Sequence, residues 1–546
     1  MGKVFVIGLD GVGFDALTPY LETGKLPCLG RLLEKGVSGP LRSTIPPLTG
    51  PAWASFQTGV NPGEHGVFEF TKRNQGSYAL SVVNAEDIHC PTIWELLSEA
   101  GRRVISIGVP LTYPPRSVDG IIIPGFLTPK RASSCTYPPD AYEELKRVSP
   151  NYQFAPHSMH RWTIKSKVKE LVEAARARAI AASHFLQQYD WDLFVVHFLA
   201  TDMAQHDLWG VTQNGDEPLL EVFQGIDHLV GELSETAQHM GATVIVLSDH
   251  GMGALEWTFS INTWLLHRGY LTLRRSLLTR LRHLLFRVGL TQNALKRVGL
   301  ILYPIVYRLG LGRTLFDFME NRGIGRLFSF LFLSLADVDW RNTYAYSYAD
   351  IGHICLNLQG REPRGLVPER DRELLIEKLI GALEETVNPR TGEPLLGEVF
   401  RREEVYHGEH LSRAPDILFM PKDLRTVASG TWRFYSNRAL DRPVMRGHHR
   451  MEGMVMAIGE PFKHAYHMKG AALVDLAPNI LYLLDCPIPR YMDGKLWEDA
   501  FLPGTLTERL ARWSDRPSTR DEVPRSVSKR DDEELKRRLK ALGYLG

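Results

Sequence analysis

Five short apolar runs rich in β-branched residues, Val4 to Leu9, Val104 to Val109, Leu193 to Phe198, Thr243 to Leu247 and Met454 to Ile458, set the narrowest limit on how this chain can fold. Each is continuous rather than alternating, as a strand covered on both faces must be. The first four give way to a loop and then to helical periodicity. This pattern predicts a doubly wound, mostly parallel α/β sheet with helices on both faces. The fifth run lies far downstream, so the sheet is expected to draw strands from both ends of the sequence around an insertion.

At 546 residues the chain exceeds one ordinary core, and 44% hydrophobic residues against 23% charged exclude a mainly disordered polymer. A net charge of +1 argues against a surface built for nucleic acid, and no sequence-specific nucleic-acid binding is expected. The total hides an asymmetry. Residues 272–335 hold eleven basic side chains against Asp317 and Glu320, a net +9, which leaves −8 for the remainder. Two readings of this basic helical insertion stand: a cap packed on the core with its arginines solvated, or an element lying on an anionic membrane surface. The expected organisation is a catalytic α/β domain from 1–271 and 336–505, the insertion at 272–335, and a polar linker with a terminal amphipathic helix at 506–546. The most apolar stretch, Ile324 to Leu335, is broken by Arg326 and is too short to span a bilayer. The N-terminal apolar run is too short for a signal peptide, and five scattered cysteines form no CxxC pair. A cytoplasmic protein, at most peripheral to a membrane, is the expectation.

Sheets of this class place functional groups in loops past the carboxyl ends of strands, and four polar clusters fall there. Asp10 directly follows the first run; its glycine-flanked loop, Gly8 to Gly13, has the wrong spacing for a dinucleotide fingerprint. Thr49 follows Pro46 and Pro47 and precedes Pro51, which places its hydroxyl at or beside a helix N-terminus, where unpaired N–H groups favour phosphoryl oxygens. Asp202 and His206 are four apart, on one face of a helix. Asp249 and His250 end the fourth run, and His448 and His449 precede the fifth. Singly these read as caps, a helical ion pair, a turn or surface residues. Jointly they supply three carboxylates, three histidines and a hydroxyl to one sheet edge. That donor mixture suits two divalent ions, Zn²⁺ first and Mn²⁺ second, able to clamp both oxygens of a phosphoryl transfer.

The order of these motifs resembles the type I phosphodiesterase and nucleotide pyrophosphatase family of the alkaline phosphatase superfamily, from about Val4 to Gly494. The stretch Thr58-Gly59-Val60-Asn61-Pro62-Gly63-Glu64-His65-Gly66 matches a family motif, and the family's nucleophilic threonine, nine residues earlier, falls on Thr49. The resemblance implies that Asp10, Thr49, Asp249 and His250 hold one metal and Asp202, His206 and His449 the other. It also implies a phosphothreonine intermediate. His65 reads as structural, bracing the turn at Pro62. One departure stands out: the asparagine that contacts a phosphoryl oxygen in nucleotide pyrophosphatases is Phe70 here, and Thr71, Lys72 or Arg73 could substitute for it. Sulfatases and cofactor-independent phosphoglycerate mutases are disfavoured, since no cysteine has the sulfatase context and the mutases use serine where this chain has Thr49. The expected activity is hydrolysis of a small-molecule phosphodiester or nucleotide. The alternatives are transfer of a phosphoryl-linked group to a lipid or glycan, or phosphomonoester cleavage on the same site.

Overall fold

The structure is a computed structural model that describes residues 2–129, 135–156, 163–212, 215, 217–295, 297–299, 330–348, 351–431, 433–516 and 528–541. All five apolar runs lie in one nine-stranded sheet. In chain order its strands are β1 (Lys3–Leu9), β2 (Val37–Arg42), β3 (Val104–Ile107), β4 (Gly120–Ile123), β5 (Leu193–Phe198), β6 (Ala242–Leu247), β7 (Glu452–Ile458), β8 (Tyr466–His467) and β9 (Ala471–Ala472). The spatial order is β8-β2-β7-β6-β1-β5-β3-β4, with β9 also on β2. Only β7 runs against its neighbours, pairing antiparallel with both β2 and β6. The late strand thus enters the sheet from the far end of the chain and lies two places from β1.

β1 and its neighbours β5 and β6 are buried almost throughout, which is why their sequences do not alternate. Helices α1 (Thr49–Thr58), α2 (Ile164–Gln188), α3 (Ala200–Leu208) and α4 (Pro218–His239) follow the strands. One face of the sheet packs Ile7, Phe194 and Val246 against α2 and α4. The other packs Val6, Val195 and Ile245 against Trp53 and Phe56 of α1 and against Leu476–Leu483.

Between Trp257 and Asp441 the chain builds a second unit with its own core, centred on Phe259, Trp264, Ile354, Leu379 and Phe419. A four-stranded sheet drawn from Ala345 to Pro421 supports it. The insertion's first helix, α5 (Leu277–Arg287), is fixed to this unit by Phe286, and by Arg282, which pairs with Asp337 at 2.7 Å. Lys296, Arg308, Arg313, Asp317, Glu320, Arg322 and Arg326 lie outside the described residues. At the other end of the chain, α6 (Lys529–Ala541) lays Leu535 and Leu539 into the main core. Its Arg538 donates to Phe126 O, and Asp532 accepts from Val82 N. Among the described residues no helix is long and apolar enough to cross a membrane.

Candidate metal centre and active site

Asp10 leaves the end of β1 into a turn that only glycine fills comfortably. Gly11 has φ +71, and a Cβ there would meet Asp202 Oδ1 at 3.0 Å. The turn is stitched by polar side chains from α3 and from the end of β6: Thr201 donates to Asp10 O, Gln205 to Gly11 O, and Val12 N donates to Ser248 Oγ. Thr49 is the first residue of α1 and fully buried. The proline pair ahead of it holds the preceding chain out of the helix, as the sequence predicts. Asp202 and His206 lie on α3 one turn apart. His449 arrives on a ribbon in which Gly447–Arg450 pairs antiparallel with Gly251–Ala254, opposite Met252 and hence beside His250.

These segments bring all seven predicted residues together. Thr49 Oγ1 lies 3.1 Å from His250 Nε2 and 3.5 Å from Asp10 Oδ1. His250 Nε2 is 3.5 Å from Asp249 Oδ2 and 3.6 Å from Asp10 Oδ1. Asp202 Oδ1 stands 3.3 Å from His206 Nε2 and 3.4 Å from His449 Nε2. Two groups of three converge closely enough for an ion, Asp202 with His206 and His449, and Asp10 with Asp202 and His250. Asp202 belongs to both.

The three imidazoles share one construction. Nδ1 of His206 donates to Gly447 O at 2.8 Å, that of His449 to Pro47 O at 2.9 Å, and that of His250 to Gly251 O at 3.0 Å. Each outer nitrogen therefore carries the proton, and each Nε2 turns its lone pair inward, the arrangement that orients an imidazole toward a metal. His206 Nε2 and His449 Nε2 are 3.1 Å apart, so a cation or a proton must lie between them; burial works against a proton on His206, but Asp202 outweighs it and raises the His206 pKa. Asp249 Oδ2 is buried and accepts no hydrogen bond among the described residues. The donor set fits a divalent cation of intermediate softness.

The electrostatics agree. Burial, then repulsion from Asp249 and Asp202, pushes the Asp10 carboxyl well above its ordinary range. Burial and Asp202 raise Asp249 to about 7. Burial takes His250 and His449 down to about 4. Burial alone would raise Asp202, but His206 and the contacts with His206 and His449 outweigh it and hold its carboxyl well below the usual range. Positive charge is what this cluster lacks.

A family model for type I phosphodiesterases and nucleotide pyrophosphatases matches residues 4–449, a span that contains every one of these side chains. The chain belongs to that family. It is accordingly a hydrolase of the phosphodiesterase and pyrophosphatase kind. No curated protein matches it by sequence. Among solved structures it shares its fold with human ectonucleotide pyrophosphatase / phosphodiesterase 5, at 15% identity and TM-score 0.50 over 91% of this chain and 99% of that one. The murine counterpart, an inactive threonine-to-alanine variant in complex with AMP, gives 14% identity and TM-score 0.51 over 92% and 100%. Phosphonoacetate hydrolase from Sinorhizobium meliloti 1021, in complex with phosphonoacetate, gives 14% and 0.53 over 89% and 95%. These likenesses confirm the alkaline phosphatase-type α/β fold.

The four substrate candidates do not form one surface. Phe70 is fully buried, edge-on to Phe126 and close to the position a Cβ on Gly50 would take. Thr71 is buried, its hydroxyl without a hydrogen-bond partner among the described residues. Lys72 pairs with Asp87, and Arg73 with Glu362 and, at 3.0 Å, with Tyr346 Oη. Both cations are thus matched by carboxylates of this chain. His65 bridges the motif to α1: Val67 N donates to its Nδ1, and its Nε2 donates to Ser55 Oγ at 3.0 Å.

Sequence reasoning passed over His197. It stands in the middle of β5, with Nε2 2.7 Å from Asp10 Oδ2 and Nδ1 3.0 Å from Gly108 O. Both ring nitrogens face acceptors, so one extra proton is shared between His197 and Asp10. The signal was present: a lone imidazole interrupts the strand Leu-Phe-Val-Val-His-Phe, and a polar group that deep needs partners.

Proposed function

We propose that this hydrolase cleaves phosphodiester or pyrophosphate bonds of a small molecule or nucleotide by attack of the Thr49 hydroxyl on phosphorus. In this reading Asp10, Thr49, Asp249 and His250 hold one divalent ion and Asp202, His206 and His449 a second, with Zn²⁺ preferred and Mn²⁺ next. The observation that carries it is the set of three anchored imidazoles whose Nε2 atoms face buried carboxylates and the Thr49 hydroxyl. The AMP held by the inactive murine neighbour is consistent with a nucleotide-like ligand.

Bound there, the ions would supply Lewis acidity, lowering the hydroxyl pKa and neutralising phosphoryl oxygens. The remaining work falls to the chain. The start of α1 directs its positive dipole end at the incoming phosphoryl group. The contacts of Thr49 Oγ1 with His250 and Asp10 fix the attacking oxygen. Attack forms the Thr49 O–P bond and expels the leaving alcohol or phosphate; water then cleaves the phosphothreonine and restores the hydroxyl. Two in-line displacements retain configuration at phosphorus. All five cysteines are free, which supports a reducing, cytoplasmic setting.

The test is hydrolysis of bis-p-nitrophenyl phosphate and p-nitrophenyl phosphate by metal-stripped protein refilled with Zn²⁺ or Mn²⁺, with Thr49→Ala alongside. The expected result is metal-dependent diester cleavage that Thr49→Ala abolishes. A preference for the monoester would make the enzyme a phosphatase. Bound metal with neither ester turned over would overturn the hydrolytic reading in favour of group transfer.

A further inference from the structure

Helix α5 carries its apolar residues on the wrong side for a cap. Leu277, Leu281, Leu284 and Val288 recur at intervals of four, three and four, a single helical stripe about 16 Å long. All four face solvent, at 83%, 49%, 58% and 71% exposure. The opposite side, with Thr279 and Phe286, is the one buried against the second unit. Beyond the helix, Leu290 and Val298 are also exposed. An isolated exposed leucine needs no explanation, but a continuous stripe does.

The basic residues around the stripe fall into two classes. Arg282 turns inward and meets Asp337, and Arg297 meets Asp441 at 2.9 Å. Each of these two is matched by an acid of this chain. Arg280 and Arg287 flank one edge of the stripe, and Arg274 and Arg275 precede it. These four are exposed, and among the described residues none forms an ion pair; Arg274 Nε donates to Val338 O at 3.1 Å, which leaves its charge unmatched. The surface therefore offers a leucine ridge bordered by uncompensated positive charge, with no acid on the helix.

We propose that the exposed face of α5 docks the protein on an anionic lipid bilayer, the leucine stripe entering the headgroup and acyl boundary and the arginines meeting lipid phosphates. The charge pattern selects this occupant. A second copy seated face to face would bring eight guanidinium groups together, whereas a bilayer containing anionic lipid satisfies both the ridge and its rim. Docking through α5 leaves the Thr49 site on a different unit and needs no part of the catalytic reading.

The test is co-sedimentation of the full-length protein with sonicated vesicles, either phosphatidylcholine alone or phosphatidylcholine with 30% phosphatidylglycerol, at about 0.1 M salt, where the Debye length is about 10 Å. Two variants accompany it: Leu281→Ser with Leu284→Ser, and Arg274→Gln, Arg275→Gln, Arg280→Gln with Arg287→Gln. Far-UV spectra and diester turnover report on their folding, since none of these residues belongs to the catalytic cluster. The wild type should bind the anionic vesicles and not the neutral ones. The arginine variant should bind on the order of 10³-fold more weakly, at roughly fivefold per charge. The leucine variant should lose on the order of tenfold or more. Absence of binding to anionic vesicles overturns the proposal, as does equal binding to neutral ones. Retention by the leucine variant reduces the contact to charge adsorption and overturns the stripe. Tight binding to polyglutamate without binding to vesicles would assign the face to an acidic protein instead.

Discussion

Replacing His197 by phenylalanine separates the frame of the site from its ligands. Phenylalanine keeps the ring that packs edge-on against Trp53, with centroids 4.8 Å apart, and so preserves the buried strand. It removes the ring N–H that faces Gly108 O and the nitrogen that shares a proton with Asp10 Oδ2. Gly108 O and Asp10 Oδ2 then lose their partners at 3.0 and 2.7 Å in a fully buried setting. A buried acceptor left without its donor costs about 1–3 kcal/mol, so the two together cost roughly 2–6 kcal/mol, a large part of the 5–15 kcal/mol that a domain typically has. The second consequence is specific to Asp10. With Oδ2 no longer held, the carboxylate is free to turn away from Thr49 and His250, and loss of such an orienting partner typically lowers metal affinity about 10–100-fold. Two measurements separate these effects. Competition against a chromophoric chelator gives the affinity for Zn²⁺ or Mn²⁺, and the visible spectrum of the Co²⁺-loaded protein reports the geometry around the ion. The expected outcome is weaker binding and an altered Co²⁺ spectrum in protein that is still folded at the assay temperature. Reduced stability with unchanged affinity and spectrum would refute the argument and leave His197 as a core residue only.

Three further outcomes follow from the geometry. Burial, then His410 and His89, pushes His65 down to about 3, against roughly 6.5 in an unfolded chain. The unfolded state therefore takes up the proton first: the neutral ring's contribution is complete above pH 6.5 and is lost as pH falls from there toward 3. Between pH 7.5 and 5.5 this amounts to about 1.4 kcal/mol, so urea unfolding of His65→Gln should show a lower stability that declines by about that much less than the wild type over the interval; parallel curves would contradict the assignment. Gly11→Ala forces an L side chain to φ +71 and places its Cβ 3.0 Å from Asp202 Oδ1, so it should cost about 1–2 kcal/mol in strain alone and weaken metal binding measurably by chelator competition. Thr49→Ser keeps a hydroxyl at the start of α1 and should retain diester cleavage that Thr49→Ala loses; equal inactivity of both in a kinetic assay would mean that the hydroxyl is not the nucleophile.

The features legible in the sequence were those fixed locally. Leu193–Phe198 is a strand over the very residues its apolar run marks, because a segment buried on both faces has few other options. Thr49 opens its helix because Pro46, Pro47 and Pro51 leave the backbone little choice. Asp202 and His206 share a face because four residues make about one turn. The features that could not be read depend on partners distant in sequence. Nothing local says that β7 runs antiparallel between β2 and β6, or that the short strands between Ala345 and Pro421 make a sheet apart from the main one. Lys72 and Arg73 look free to receive an anion until Asp87 and Glu362 are found against them. His197 finds its role only through Asp10, which reaches it across the pairing of β1 with β5.

The buried cluster gives a reason for the rigidity of its surroundings. Asp10, Asp202 and Asp249 sit together at 0–1% exposure, and like charges at such spacing in a low-dielectric interior repel strongly. Their neighbours offset them only in part: Asp202 raises the pKa of His206 against the effect of burial and is itself held low by it, whereas His250 and His449 are held neutral by burial at ordinary pH. A flexible loop would relieve the strain by letting the carboxylates swing toward water. Here each is tied to the ends of parallel strands or to α3, and the imidazoles are pinned by backbone carbonyls of the loop ahead of α1, at Pro47, and of the two-stranded ribbon, at Gly251 and Gly447. The fold therefore spends stability on a concentration of negative charge that it does not itself neutralise. That cost is offset only when a cation occupies the cluster, so removing metal with a chelator should lower the thermal midpoint, and refilling should restore it. A midpoint indifferent to metal would mean that protons alone balance the three carboxylates.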